Sequence, residues 1–288
     1  MIEPAHFVVD PERVFFVIPY INHPVTWYGL LFAFGFLIGY FVVRKIFTEQ
    51  LRDRGLSDPK LVAALLADRL AMITVVATVV GARLGHVFLY DWHIYKERPW
   101  DIIKVWEGGL ASHGAAIGIL LGLVLFTVLH RRKYQGITFL ATLDAVVVGA
   151  AFAGGCIRIG NFINQEILGK PTDVPWAVGF MHPLEGPFGV PVHPVQLYES
   201  AVYFFVFGLL WFTWKKGGQR VGAGLLTGLF FLLVFTSRFY IEYFKLPLSQ
   251  LVGEEPLFNM GQLLSIPFIL LGAALIIYYL LKRRKIER

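Results

Sequence analysis

The chain has 288 residues, of which 56% are hydrophobic, 16% aromatic and only 16% charged. That balance excludes an ordinary soluble domain, and the aromatic excess suits the boundary between lipid and water. The net charge of +6 comes from short basic runs between apolar segments, a pattern of membrane orientation rather than nucleic-acid binding, and the single cysteine, Cys156, excludes an intrachain disulfide framework.

The opening segment, MIEPAHFVVDPERVFF, lacks a basic region followed by a long apolar core, so no cleavable signal is expected. Seven stretches are then apolar enough to cross a bilayer, which takes about 20 helical residues for about 30 Å. They cover residues 27–43, 69–90, 112–130, 137–157, 195–214, 222–243 and 261–281. The first is short unless it borrows from the preceding INHPV. The longest connection, about 165–194, is rich in Pro and Gly and is expected to fold as a loop cap over one membrane face. No segment outside the spans is long enough for a second core, so 1–288 reads as a single all-α membrane domain with seven transmembrane helices.

Orientation follows from the basic residues. Arg44, Lys45, Arg52, Arg54 and Lys60 share one set of connections with Arg131, Arg132, Lys133, Lys215, Lys216 and Arg220, and with the basic C-terminal run. The opposite set holds only Arg13, Lys96, Arg98, Lys104, Lys170 and Lys245. Positive charge favours the cytoplasmic side, which places the N-terminus outside, the C-terminus inside and the 165–194 cap outward.

With that orientation the second, fourth and sixth spans all run outward, and each carries an arginine in its outer part: Arg83, Arg158 and Arg238. Tyr28 and His113 open the first and third spans at the same side. Ionisable residues at membrane depth mark functional sites, and a guanidinium forks onto phosphate or carboxylate oxygens. The anion native to that depth is a phospholipid head group. The bland readings are snorkelling, or pairing of Arg238 with Glu242 one helical turn later.

The run RIGNFINQE adds to this cluster. If the fourth helix continues through it, Arg158, Asn161 and Gln165 share a face and Glu166 turns to the flank. Asn and Gln donate to phosphate or ester oxygens, and Glu166 can orient an arginine. Gly154, Gly155 and Gly160 suit either helix packing or access by a lipid chain. Cys156 reads as a small packing residue. His113, in GGLASHGAAIG, is either a proton acceptor near neutral pH or a hydrogen-bonded structural histidine. His182 and His193 lie in a Pro-rich loop with no compact set of further ligands, so no metal is expected.

Six motifs occur in order: WYGL from Trp27, EGGLASHGAAIG around His113, RIGNFINQEILGK from Arg158, HPVQLYE from His193, SRFYIEYF around Arg238 and MGQLLSIP from Met260. Together they resemble the prolipoprotein diacylglyceryl transferase family, over about residues 27–267. The resemblance implies seven spans in the bacterial cytoplasmic (inner) membrane and an outward-facing site. It implies phosphatidylglycerol as donor, the lipobox cysteine of a prolipoprotein signal peptide as acceptor, and no cofactor. The products would be a thioether and glycerol phosphate. It assigns importance to Tyr28, His113, Arg158, Asn161, Glu166, Gly169, Arg238 and Glu242; Arg83 joins them as a substrate-binding candidate on its depth alone. Departures from the family pattern are Ala115 in the usual His-Gly-Gly, Ile157 before the signature arginine, and Val234 one turn before Arg238. The competing class is a lipid or anion transporter with an arginine-lined site, which favours broken spans in paired halves. A lipid-binding scaffold is the third, and it leaves His113 without a task.

Overall fold

A computed structural model describes residues 7–217, 224–246 and 258–286. The start of the expected sixth span at Gly222, and Arg220 and Arg288 of the basic set, lie outside these residues. Within them, seven helices are long and apolar enough to cross a membrane. These are α1 (Trp27–Arg52), α2 (Pro59–Leu89), α4 (Ser112–His130), α5 (Phe139–Ile163), α6 (Val195–Gly217), α7 (Leu225–Ile241) and α8 (Met260–Ile286), with a four-residue α3 (Trp92–Tyr95) between the second and third spans. The helical class and the number of spans match the expectation.

The helix ends differ from the hydropathy limits for local reasons. The first span borrows nothing from INHPV, because Thr26 accepts a hydrogen bond from Gly29 N at 3.1 Å and caps the helix start. It gains length at the other end, continuing through the basic segment to Arg52. α2 starts ten residues before the hydropathy limit, with Pro59 in the first turn where its missing N–H costs nothing. Thr138 caps α5 in the same manner, accepting from Ala141 N at 3.2 Å.

Five short strands, not foreseen in the sequence, accompany the helices. β1 (Phe7–Val9) pairs in parallel with β4 (Val178–Phe180), which pairs antiparallel with β5 (Pro191–Val192). β2 (Val14–Ile18) and β3 (His23–Thr26) form a separate hairpin. The three-stranded sheet closes a small core of Leu168, Val178, Phe180 and Val192, with Val9, Phe162 and Val190 against it. The segment expected to be a loop cap is thus an ordered structure tied to the N-terminal strand.

The chain forms two compact units: the residues up to Val42 together with those from Val146 onward, and Val43–Ala145. In the first unit, Gly39 of α1 meets Gly149 of α5, and Phe235 of α7 stacks on Phe268 of α8 at 4.3 Å between ring centres. In the second unit, α2 and α4 pack through their smallest residues. A Cβ on Gly81 would come within 2.8 Å of Gly118 Cα, and one on Gly85 within 2.6 Å of Gly114 Cα. Ala77, Gly81 and Gly85 repeat every four residues on one helix and Gly114, Gly118 and Gly122 on the other, so the backbones approach as closely as helices can.

Packing this tight predicts a strong asymmetry between glycines. Gly118→Leu should destabilise the protein by about 1–3 kcal/mol or more through overpacking against α2. Gly208→Ala, in open space on α6, should be neutral or slightly stabilising. Thermal unfolding in detergent micelles compares the two; equal midpoints would contradict the close α2–α4 contact.

Candidate active site

The signature run folds as a helix terminus and not as a continued helix. α5 stops at Ile163, and the next residues form a Schellman cap. Glu166 N donates to Asn161 O at 3.1 Å, Gln165 N donates to Phe162 O at 3.0 Å, and Gln165 takes the left-handed conformation at φ 55°. Gln165 therefore leaves the face of Arg158 and Asn161. A hydrophobic pair usually joins the two residues bridged by such a cap. Here a polar pair does so: Asn161 Nδ2 donates to Glu166 Oε1 at 2.6 Å, and Asn164 Nδ2 donates to the same oxygen at 3.3 Å.

Left-handed backbone is strained for a glutamine, and buried hydrogen bonds hold it. Gln165 is 1% exposed, accepts from His182 N at 2.7 Å through its side chain, and accepts from Leu184 N at 3.0 Å through its carbonyl. His182 in turn meets Asp10 Oδ1 at 2.7 Å, and Arg13 donates to His182 O. The hydrogen bond from His182 holds the Asp10 carboxyl below the usual carboxylate range. One end of the signature thus reaches the N-terminal strand.

The other end reaches a buried ion network. Arg158 Nη1 donates to Asn161 Oδ1 at 3.2 Å, and its Nε meets Glu199 Oε2 of α6 at 2.9 Å. Glu199 Oε1 meets Lys245 Nζ at 2.8 Å, and Lys245 also meets Glu242 Oε2 at 3.1 Å. The Glu199 side chain is 4% exposed, Lys245 9% and Arg158 15%, so these charges sit largely out of water. Glu199 Oε2 and Glu242 Oε2 are held by charge without an aligned hydrogen bond. Sequence reasoning missed Glu199 and Lys245 as site residues. Glu199 stood inside HPVQLYE, and Lys245 had been counted only as an orientation marker.

Arg238 does not pair with Glu242, whose carboxylate goes to Lys245. Arg238 is half-buried and has no ion pair or side-chain hydrogen bond among the described residues. Tyr28, half-buried in the first turn of α1, lies against Gly160, where a Cβ would come within 2.8 Å of its ring. Gly169 serves backbone approach: it pairs with Lys245 in an isolated bridge, and a Cβ there would come within 2.8 Å of the His193 Cβ. Burial pushes the His193 imidazole below the ordinary histidine range, and its ring packs on Phe244 at 4.9 Å between centres. Gly154 and Gly155 are covered by the rings of Tyr203 and Phe204, so both are packing positions; Cys156 is buried.

Seven of the nine expected site residues thus belong to the first unit: Tyr28, Arg158, Asn161, Glu166, Gly169, Arg238 and Glu242. His113 and Arg83 belong to the second. His113 is exposed in the first turn of α4 and has no side-chain partner among the described residues. Arg83 is buried and bonds to backbone carbonyls of the loop before α4.

Glu199→Gln should leave Arg158 and Lys245 buried without their shared anion, at a cost of about 3–5 kcal/mol. Adding Lys245→Met should deepen the loss, because it leaves the Glu242 carboxylate without its partner. Chemical unfolding in micelles reads both; an unperturbed Glu199→Gln midpoint would show the network to be energetically idle.

A family model described as prolipoprotein diacylglyceryl transferase matches residues 13–278. Among similar proteins, one from Tolumonas auensis is 43% identical over 88% of this chain and 90% of its own. One from Porphyromonas gingivalis is 39% identical over 95% of each chain, and one from Chlamydia pneumoniae 38% over 91% of each. All three are named phosphatidylglycerol–prolipoprotein diacylglyceryl transferase.

Proposed function

The chain belongs to the prolipoprotein diacylglyceryl transferase family, and on that footing we propose that it moves the diacylglyceryl group of phosphatidylglycerol onto the lipobox cysteine of a prolipoprotein at the bacterial cytoplasmic membrane. A carbon–sulfur bond forms as the carbon–oxygen bond to the phosphate breaks. The thiol proton is lost, and glycerol phosphate leaves with one more negative charge than the phosphodiester carried. A cation fixed at that phosphate stabilises the transition state more than the ground state.

The observation that carries this reading is the contrast between Arg158 and Arg238. Arg158 is held in place by Glu199 and Asn161, whereas Arg238 lacks a protein counter-ion among the described residues. A preset guanidinium and an unpaired one in the same unit suit an anionic substrate group. Glu166, fixed by Asn161 and Asn164, and Tyr28, on Gly160, supply further polar contacts for the lipid.

The proton is assigned to His113. A rival scheme lets a cationic site depress the thiol pKa without a dedicated base. That scheme is weakened because Arg158 is ion-paired with Glu199, and Lys245 with both Glu199 and Glu242. A neutral imidazole that accepts the proton during attack fits better. The site is read as outward-facing, with the N-terminus outside and the C-terminus cytoplasmic.

Purified protein with phosphatidylglycerol and a lipobox peptide should add one diacylglyceryl mass to the peptide; no adduct would overturn the reading. Arg238→Lys keeps the charge and loses the fork, so turnover should fall about tenfold or more if phosphate geometry matters. His113→Gln should be slow near neutrality and recover partly as pH approaches the thiol pKa of about 8.5, because thiolate then forms without a base. Equal single-turnover rates for wild type and His113→Gln across neutral pH would remove the proton role.

Orientation has its own test. Cysteines introduced near Arg132 and Lys216 should resist an impermeant thiol reagent in intact cells, and one near Pro187 should react. The native Cys156 is 3% exposed and gives little background. Labelling from outside at the first two positions would reverse the topology.

A further inference from the structure

Arg83 shares with Arg158 and Arg238 the sequence features of a phosphate ligand, but its partners are of another kind. It lies in the second half of α2 and is 4% exposed. Its Nε donates to Ile102 O at 2.9 Å, its Nη1 to Gly108 O and to Gly109 O at 3.2 Å, and its Nη2 to Asp101 O. The guanidinium also lies over the Tyr95 ring, 5.0 Å from its centre. A guanidinium has five N–H donors, and these four bonds all go to carbonyls of one loop. The donor left over cannot make the two-point fork by which arginine grips a phosphate.

The loop held in this way leads directly to His113. Gly108 and Gly109 carry φ of 89° and 69°, a turn that side chains resist. Gly109 also has no space for one, since a Cβ would come within 2.6 Å of the His86 ring and 2.8 Å of Arg83 Nη1. Ala111 N then donates to Ala82 O at 2.9 Å, and α4 starts at Ser112. One residue beyond His113, Gly114 lies against Gly85 of α2. α2 therefore fixes the backbone on both sides of His113, through Arg83 before it and through the glycine contact after it.

We propose that Arg83 is a positioning residue for the transfer reaction, clamping the loop of residues 99–111 so that His113 is presented in a fixed place, and that it is not a ligand of the lipid phosphate. The inference rests on the proton-accepting reading of His113.

The test uses the full-length protein in micelles containing phosphatidylglycerol, as wild type, Arg83→Lys, Arg83→Gln, His113→Gln and the Arg83→Lys/His113→Gln double variant. In both Arg83 variants, amide hydrogen exchange should quicken at least tenfold across residues 99–111 while α2 and α4 keep their protection. KM for phosphatidylglycerol should stay within about twofold and the single-turnover rate should fall at least tenfold. Because the two residues act through one group, Arg83→Lys should cost little more once His113→Gln is present. A tenfold rise in KM at an unchanged rate would make Arg83 a phosphate ligand and overturn the proposal. Unchanged loop exchange in Arg83→Lys would do the same, as would fully additive rate losses or loss of protection throughout α2 and α4. If His113→Gln alone turns over like wild type, the proton role of His113 fails, and the clamp is then decided by loop exchange in Arg83→Lys: faster exchange upholds it and unchanged exchange removes it.

Discussion

Glu199 places one carboxylate between two buried cations, Arg158 of α5 and Lys245 just after α7, and much of the first unit is arranged around that carboxylate. Ions out of water are costly unless paired, so each cation is held where the anion is. Lys245 takes a second carboxylate from Glu242, and Arg158 takes a side-chain carbonyl from Asn161. The network thereby joins the last turns of α5, the start of α6 and the end of α7. It also removes Glu242 as a counter-ion for Arg238.

The helix terminus beside the network follows the same logic. Asn-Phe-Ile-Asn-Gln-Glu ends α5 with a cap whose bridging pair is polar, Asn161 with Glu166. A polar pair stabilises the turn less than an apolar one in water, but it leaves a carboxylate and an amide in fixed orientation at the end of a membrane helix. The strain falls on Gln165, and the loop after β4 holds it: His182 and Leu184 bond to this residue, and β4 pairs with β1 near the N-terminus. Rigidity at the signature therefore depends on residues more than 150 positions earlier in the chain, which no local reading of the motif would include.

In the second unit steric fit takes the place of charge. Rows of small residues bring α2 and α4 together, and Arg83 fastens the connecting loop through its backbone. His113 is left exposed at the helix start, with its neighbours fixed on either side.

Span number, helical class and family were all legible in the sequence, because apolar length and motif order are local properties that need no partner to be read. Tyr28, Arg158, Asn161, Glu166 and Arg238 were legible as a polar group for the same reason: charge and amide groups at the end of an apolar run stand out one residue at a time. Which charges are compensated could not be read. Glu199 reads as a residue of a motif and Lys245 as an orientation marker, Arg83 stands at the same depth as Arg158 and Arg238, and Glu242 is only one candidate partner for Arg238. Each of those assignments turned on a contact across helices or with a loop. An ion's free energy depends on the groups within a few ångströms of it, and that neighbourhood exists only once the chain has folded.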